Sequence, residues 1–412
     1  MKTTTSHQPR QLAFGELVGL TAAVMALNAL AIDMMLPALT TIGNELSAGQ
    51  NRQQLIIGVY VMGNGIAQLF FGPIVDRFGR RIVLMLALGG YLIGSLLSVI
   101  AADFTLLLAA RGFQGIATAA TRVASIAMVR DQCAGRQMAR VMSLAITVFM
   151  AAPILAPSIG QLVLSFAPWR GIFIALLIYG LLLGVWVYLR MPETLNPSDR
   201  KTLQIGPIMS AYGEFLKNRV AFGYTLASAF CFGALFGYIS ASEQIFKEIF
   251  NLGDNFPLAF AVIAAALAAA TLTNARLVER FGMRRLTHSA LLAFILSNVM
   301  HLLIVMSIGE NMIVFLTFMS IAFFALGLIG PNSSALAMEP MGHMAGAAAA
   351  ANGFAGTTVA GFLGTLIGQF YNHTTTPIIL GFAILGIAAI GVVLWVEDGK
   401  LLQPNPTNEP SP

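Results

Sequence analysis

Three charged side chains stand inside apolar runs of this sequence. Asp33 lies in LNALAIDMMLPAL, while Arg111 and Arg122 bracket RGFQGIATAATR. An ionisable residue within a membrane span is costly and marks an ion or substrate pathway by default. For an acid, the chemistry would be proton exchange. Burial raises a carboxyl pKa and a nearby cation lowers it, so an acid balanced between the two can load and release a proton. Ionised, it could also attract a cationic compound. A plainer reading of Asp33 also stands: it ends a helix near an interface, ahead of Pro37, because the residue before a proline is disfavoured in helix.

Arg111 falls about six residues into its apolar run, a depth of roughly 9 Å at 1.5 Å per residue. It either partners an acid at that level or snorkels to the headgroups. Arg122 follows eleven residues later, close to three whole turns, so both arginines share one helix face. Near mid-span, Arg122 either meets a substrate or bonds carbonyls of neighbouring helices. Glu243 ends an apolar run. It is a second acid for cations or a rim residue in water. Glu16 is read as interfacial.

The elements that position these residues follow from composition. The chain has 412 residues, 57% of them hydrophobic and only 10% charged, against about 25% charged in soluble domains. Most of its surface must face lipid. Apolar runs of about 20 residues, each long enough to cross a bilayer, are expected near 13–36, 54–74, 82–101, 105–129, 138–165, 169–189, 220–242, 256–275, 286–308, 311–338, 345–370 and 376–396. The first run is too long for the apolar core of a removable signal peptide, and is read as a retained span.

Twelve spans put both termini on one side. Of the 23 lysines and arginines, eighteen then fall on that side, and only Arg52, Arg170 and Lys247 on the other. The positive-inside rule makes the rich side cytoplasmic. The net charge of +5 thus orients the chain in a membrane and implies no nucleic-acid partner. Cys133 and Cys231 form neither a disulfide framework nor a zinc site.

The longest polar stretch divides the chain into a six-span half (1–189), a linker (190–219), a second half (220–397) and a tail (398–412). GPIVDRFGRR, starting at Gly72, matches ARLVERFGMR, starting at Ala275, at an offset of 203 residues with five of ten positions identical. Each follows the second span of its half. Parallel six-helix repeats are the mark of one large transporter class.

The sequence resembles the major facilitator superfamily. Gly72-Pro-Ile-Val-Asp76-Arg77-Phe-Gly79-Arg80-Arg81 is similar to its signature loop between spans two and three. Asp33-Met-Met-Leu-Pro37, Arg111-Gly-Phe-Gln114-Gly115, Arg130-Asp131, Pro153-Ile-Leu-Ala-Pro157, Met191-Pro-Glu-Thr194 and His343-Met-Ala-Gly346 resemble the drug:proton antiporters of the bicyclomycin- and chloramphenicol-resistance branch. Three departures are visible, the first being Arg122, a charge in span four that the general family pattern does not require. Span five reads Ala156-Pro157 where the antiporter motif has Gly-Pro, and the second signature loop lacks its leading glycine.

The resemblance implies an all-helical membrane fold of two pseudo-symmetric halves, acting as a monomer in a bacterial inner membrane. It implies export of small apolar drugs in exchange for protons, driven by the proton gradient with no cofactor. It also implies that spans one and four pack together, so that Asp33 carries the proton and Arg111 assists. The signature loop, with Arg130 and Asp131, would be a cytoplasmic latch between the halves. Positive-inside anchoring would account for the same arginines. Gly72 would permit close helix approach, Asp76 would face a helix N-terminus, and Pro153 and Pro157 would bend span five.

Polar residues within spans are candidates for the cavity: Asn28, Tyr60, Asn64, Gln68, Tyr238, Asn332 and Asn352. Twenty methionines and 28 phenylalanines could add an adaptable apolar lining. No GxxxxGK[ST], HExxH or GxSxG occurs, so nothing supports ATP-driven or enzymatic chemistry. The chief alternatives are a proton-coupled nutrient importer on the same fold and a receptor that binds without transport.

Overall fold

The computed structural model describes residues 12–133, 135–200 and 205–403. Fourteen α-helices follow one another: α1 (Phe14–Asp33), α2 (Leu39–Glu45), α3 (Leu55–Phe78), α4 (Arg80–Val99), α5 (Phe104–Gln132), α6 (Gly135–Leu164), α7 (Arg170–Arg190), α8 (Ile205–Lys217), α9 (Arg219–Gln244), α10 (Phe256–Phe281), α11 (Met283–Ile308), α12 (Met312–Met338), α13 (Ala345–Gln369) and α14 (Thr376–Val396). All but α2 and α8 are long enough to span a bilayer core of about 30 Å, and each of these long helices coincides with one expected run.

Among the described residues, ten continuous helical stretches are apolar enough to cross a membrane by composition. One of them, Met312–Gln369, contains both α12 and α13, and α5 is absent from the set. That absence has a cause: α5 carries Arg111, Gln114, Arg122 and a row of threonines. It is the most polar of the long helices and is shielded by α1, α3 and α4, which pack around it.

The repeat is visible in packing. In the first half α1 packs on α5, α6 and α7, α3 on α5, and α4 on α5 and α7. In the second half α9 packs on α12, α13 and α14, α10 on α12, and α11 on α12 and α14. Each contact thus has its counterpart six long helices later. Even the seams between halves obey the symmetry, α3 lying on α13 and α10 on α6. The ten-residue repeat read from the sequence is the remnant of this duplication.

With lipid outside, helices associate through close packing rather than hydrophobic exclusion. Two glycines show how tight this is. A Cβ at Gly115 on α5 would overlap the Tyr60 carbonyl of α3, and one at Gly160 on α6 would overlap the Met34 carbonyl just past α1. These two approaches clamp α1 and α5 into the first half. Gly72 differs from its expectation: a Cβ there meets nothing within 4 Å, so it allows no close approach in this conformation. Helix α6 runs through Pro153 and Pro157 without interruption. The prolines leave the carbonyls of Phe149 and Pro153 without their intrahelical donors.

The polar stretch after α7 holds a helix that apolar-run reasoning missed. α8 is too short to span. Phe215 is fully buried against Met341 and Ala348 of the second half, while the Tyr212 hydroxyl donates to Leu69 O of α3 at 2.6 Å. Burial pushes the Tyr212 hydroxyl above its ordinary pKa, so it stays a donor. α8 therefore straps the halves together at the arginine-rich end.

Overpacking a tight interface costs about 1–3 kcal/mol. Gly160→Val is expected to lower the unfolding temperature of the purified protein by several degrees. Gly184→Val, where a Cβ meets nothing within 4 Å, is expected to leave it nearly unchanged.

Candidate functional site

The site grows from Arg111. Its side chain is fully buried, so each donor of the guanidinium needs a partner. Nη2 donates to Ala31 O of α1 at 2.8 Å and Nε to Ile56 O of α3 at 3.5 Å. Nη1 donates to Gln114 Oε1, one turn along α5. The plane lies over the Tyr60 ring at 4.4 Å, with Phe173 at 5.8 Å. Cation–π contacts of this kind gain strength when desolvated. Gln114 is fixed in turn by Nε2 donating to Ser95 Oγ at 2.8 Å, and the Tyr60 hydroxyl donates to Asn28 Oδ1 at 2.6 Å. One arginine thereby ties α1, α3, α4 and α5 into a polar core.

Asp33 ends α1 two residues beyond the carbonyl that Arg111 grips. It is 4% exposed, and its Oδ1 has no hydrogen-bond partner. The expected ion pair between Asp33 and Arg111 is not formed among the described residues. Arg111 is at the right level but bonds the backbone of α1 instead. The helix-ending reading of Asp33 holds geometrically, since a turn at Met34–Met35 and a 3-10 segment at Leu36–Ala38 follow. It does not explain a buried, unpartnered carboxyl oxygen.

Arg122 shares the Arg111 face of α5 but differs in surroundings. It is accessible, though buried residues flank it along the helix, and no described residue bonds its guanidinium. Asn64 and Gln68 continue the polar strip on α3. Asn64 Nδ2 donates to Thr118 Oγ1 at 3.1 Å, and Gln68 Nε2 to Asn64 Oδ1 at 2.9 Å and, across the seam, to Thr357 Oγ1 at 3.3 Å.

The second-half candidates do not join this group. Asn332 links α12 to α10 through Asn274 Oδ1 at 2.7 Å, and Asn352 accepts from Thr225 of α9 at 2.7 Å. They are polar glue between helices. Tyr238 is fully buried among Phe246, Phe260 and Phe323, which places it in an aromatic core.

Glu243 also departs from its expectation as a rim residue in water, being fully buried. Its Oε2 accepts from Thr40 N at 2.7 Å and from Thr40 Oγ1 at 2.8 Å, joining the second half to the first. Lys247, one turn on, pairs with Oε1 at 3.0 Å and donates to Pro37 O at 2.8 Å. Beside this clamp Gln54 Nε2 donates to Gln244 Oε1 at 2.6 Å, and Asn51 Nδ2 donates to Tyr371 O at 2.7 Å. These bonds close the end of the molecule opposite the arginine-rich loops. The sequence signal that could have found them is the pair of polar clusters, N-R-Q-Q at 51–54 and S-E-Q at 242–244, each at a helix end on the same side.

The signature loop is organised around Arg80, which is 4% exposed. It bonds Asp131 at 2.8 Å, Asp76 at 3.1 Å and Val75 O at 3.0 Å. Thr194 Oγ1 adds a bond to Asp131 at 2.9 Å. Glu193, unforeseen, accepts from the backbone of Arg80 at 2.9 Å and Arg81 at 3.2 Å, so an acid caps the N-terminus of α4. Gly79, at φ +100°, makes the approach possible, since a Cβ would strike that carboxylate. Arg81 binds Tyr188 O of α7 at 2.7 Å, Arg77 lies over Phe78, and Arg130 is exposed. The contacts of Arg80, Arg81, Glu193 and Thr194 all bind α3, α4, α5 and the end of α7. Among the described residues these contacts brace the first half and do not reach the second.

The described residues hold no cluster fit for a metal ion, and both cysteines are free and buried.

A family model described as Major Facilitator Superfamily matches residues 21–365. The chain is 31% identical to the uncharacterized MFS-type transporter YdgK of Bacillus subtilis, over 93% of this chain and 96% of that protein. It is 29% identical to the bicyclomycin resistance protein homolog of Haemophilus influenzae, over 84% and 87% of the two chains. The crystal structure of a D-xylose-proton symporter superposes with a TM-score of 0.72 at 16% identity, covering 95% of this chain and 99% of that one. The last likeness concerns the fold alone.

If Glu243 closes one end, removing it should open that end. Glu243→Ala is expected to raise several-fold the rate at which an impermeant thiol reagent, added on that side, labels a cysteine placed at Asn28. The background would be Cys133→Ser, Cys231→Ser. Unchanged labelling would show that the clamp does not control access.

Proposed function

The chain belongs to the major facilitator superfamily, and from that premise we propose that it exports small, largely apolar drugs in exchange for protons. Bicyclomycin-like compounds are expected cargo, after the bicyclomycin resistance protein homolog it is similar to, and chloramphenicol-like compounds are expected from the antiporter branch that its motifs resemble. The single observation that carries the coupling is Asp33: a buried carboxyl with an unpartnered oxygen, two residues from the backbone carbonyl that engages Arg111.

The geometry supports a switch between two bonding states. With Asp33 protonated, the acid needs no counter-charge and Arg111 rests on Ala31 O. Once Asp33 is ionised, Arg111 is the cation at the same level, and an uncompensated buried charge is strongly destabilising. Moving from the Ala31 carbonyl to the carboxylate would shift α5 against α1 and disturb the Tyr60 stack. The clamp of Glu243, Lys247 and Thr40 bears on α2 and the 3-10 segment that directly follow Asp33 in the chain. A change at the end of α1 is thereby conveyed to the closure between the halves. Alternating access would follow from rocking one half on the other about the α3–α13 and α6–α10 seams.

In this reading the arginine-rich end faces the cytoplasm of a bacterial inner membrane, both termini lie there, and the structure is the conformer closed to the outside. The carrier acts as a monomer and draws on the proton gradient without a cofactor. A nutrient importer on the same fold would accumulate its substrate in energised cells, whereas this carrier would lower the internal drug level.

In cells lacking other exporters, Asp33→Asn is expected to reduce resistance to chloramphenicol to that of cells carrying an empty vector, at equal protein in the membrane. Wild-type resistance in that variant would sink the assignment of Asp33.

A further inference from the structure

We infer that Arg122 is the anion-recognising group of the transport cavity, favouring small organic anions over cations of the same shape; this rests on the export reading above and adds a charge preference among its small, largely apolar cargo. Arg122 points away from the lipid-facing side of α5. The lipid-facing stripe of α5 is marked by Leu106, Phe113 and Ile116, all exposed. Arg122 lies six residues past Ile116, which at about 100° per residue turns it roughly 120° away from that stripe. It lies eleven residues past Arg111, within about 20° of the face that meets α1. Thr118, Thr121 and Ser125, its neighbours on α5, are buried. An accessible side chain on an interior face, between buried neighbours, opens onto space inside the bundle and not onto lipid.

Arg122 is also uncommitted. The hydroxyls beside it are turned back to their own helix: Thr118 donates to Gln114 O, Thr121 to Thr118 O and Ser125 to Arg122 O. Among the described residues none of these hydroxyls accepts from the guanidinium, and Thr118 Oγ1 accepts from Asn64 instead. Arg111, by contrast, has its donors engaged by Gln114, Ala31 and Ile56. The other charges of the interior do not balance Arg122. Glu243 is paired with Lys247, and Asp33, which makes no ion pair with Arg111, ends α1 near the Ala31 carbonyl that Arg111 engages, about three turns from Arg122. The cavity around Arg122 therefore carries a net positive charge whether or not Asp33 holds a proton.

A free guanidinium presents a planar fork of donors that matches the two oxygens of a carboxylate. At about 6 Å and an effective dielectric of about 20, reversing a ligand's charge changes its affinity by well over a hundredfold. Desolvation of both charges opposes this, so a net preference of at least about tenfold is expected. The position also separates the tasks. Asp33 handles the proton, and Arg122, some three turns deeper along α5, meets the cargo.

The test uses three probes of one shape and different charge: biphenyl-4-carboxylate, its neutral amide and its cationic amidine. Their binding to the purified full-length carrier is measured directly, and chloramphenicol export by the same cells reports separately on the export reading. The expected order is carboxylate, then amide, then amidine, with the carboxylate at least about tenfold tighter than the amidine. Arg122→Gln should flatten the series and Arg122→Lys should largely keep it. An amidine bound as tightly as the carboxylate by wild type would overturn the inference, as would failure of all three to bind. An unchanged order in Arg122→Gln would overturn it too. The wild-type series stands without the variants, should either fail to fold. Loss of chloramphenicol export with the order intact would instead count against drug export.

Discussion

A guanidinium buried within a helical bundle must find a partner for every donor, because the surrounding lipid offers none. Arg111 meets that demand with two backbone carbonyls, one glutamine and one aromatic face. The carbonyls belong to α1 and α3, so the arginine sets how α5 lies against both. Gly115 and Gly160 permit the close approaches that this requires. The same arrangement leaves Asp33 at the end of α1 with no counter-charge. The unpartnered carboxyl oxygen of Asp33 is the feature on which the proposed proton exchange rests.

The ends of the molecule are built differently. Opposite the arginine-rich loops, side chains of one half bond directly to the other through Glu243, Lys247, Gln54, Gln244 and Asn51. At the arginine-rich end the signature loop braces the first half internally, and α8 supplies the strap between halves. Pseudo-symmetry runs through the scaffold but not through the chemistry. The residue matching Arg80 at the 203-residue offset is Met283, and Glu397, which follows α14 much as Glu193 follows α7, pairs with Arg284. The two halves are alike in scaffold, but the buried arginine network of Arg111 lies in the first, while the second has its own polar links through Tyr224, His288 and Glu397.

Much of this was legible in the sequence. Apolar run length gave the twelve long helices to within a few residues at most ends, since a bilayer fixes the length that must be apolar. The local repeat gave the duplication that the helix packing displays. What escaped was pairwise. Hydropathy places Asp33 and Arg111 at one depth, but it cannot say that a carbonyl two residues away takes the arginine. Glu243 looked like a wetted rim because it ends a span, and burial there depends on Thr40 and Lys247 arriving from elsewhere. Asn332, Asn352 and Tyr238 looked like cavity groups because an isolated polar residue in a span shows no sign of which neighbour it faces. α8 and the Glu193 cap lie in a polar stretch, where apolar periodicity carries little signal.

In the proposed coupling, Asp33 gives up its proton when cargo binds. Proton release from the purified carrier in weakly buffered detergent solution, on adding saturating chloramphenicol, measures that step without a membrane potential or a cell. Release of about one proton per wild-type carrier, absent from Asp33→Asn, is the predicted result. No release from wild type at any pH between about 5 and 9, or equal release from Asp33→Asn, would contradict it.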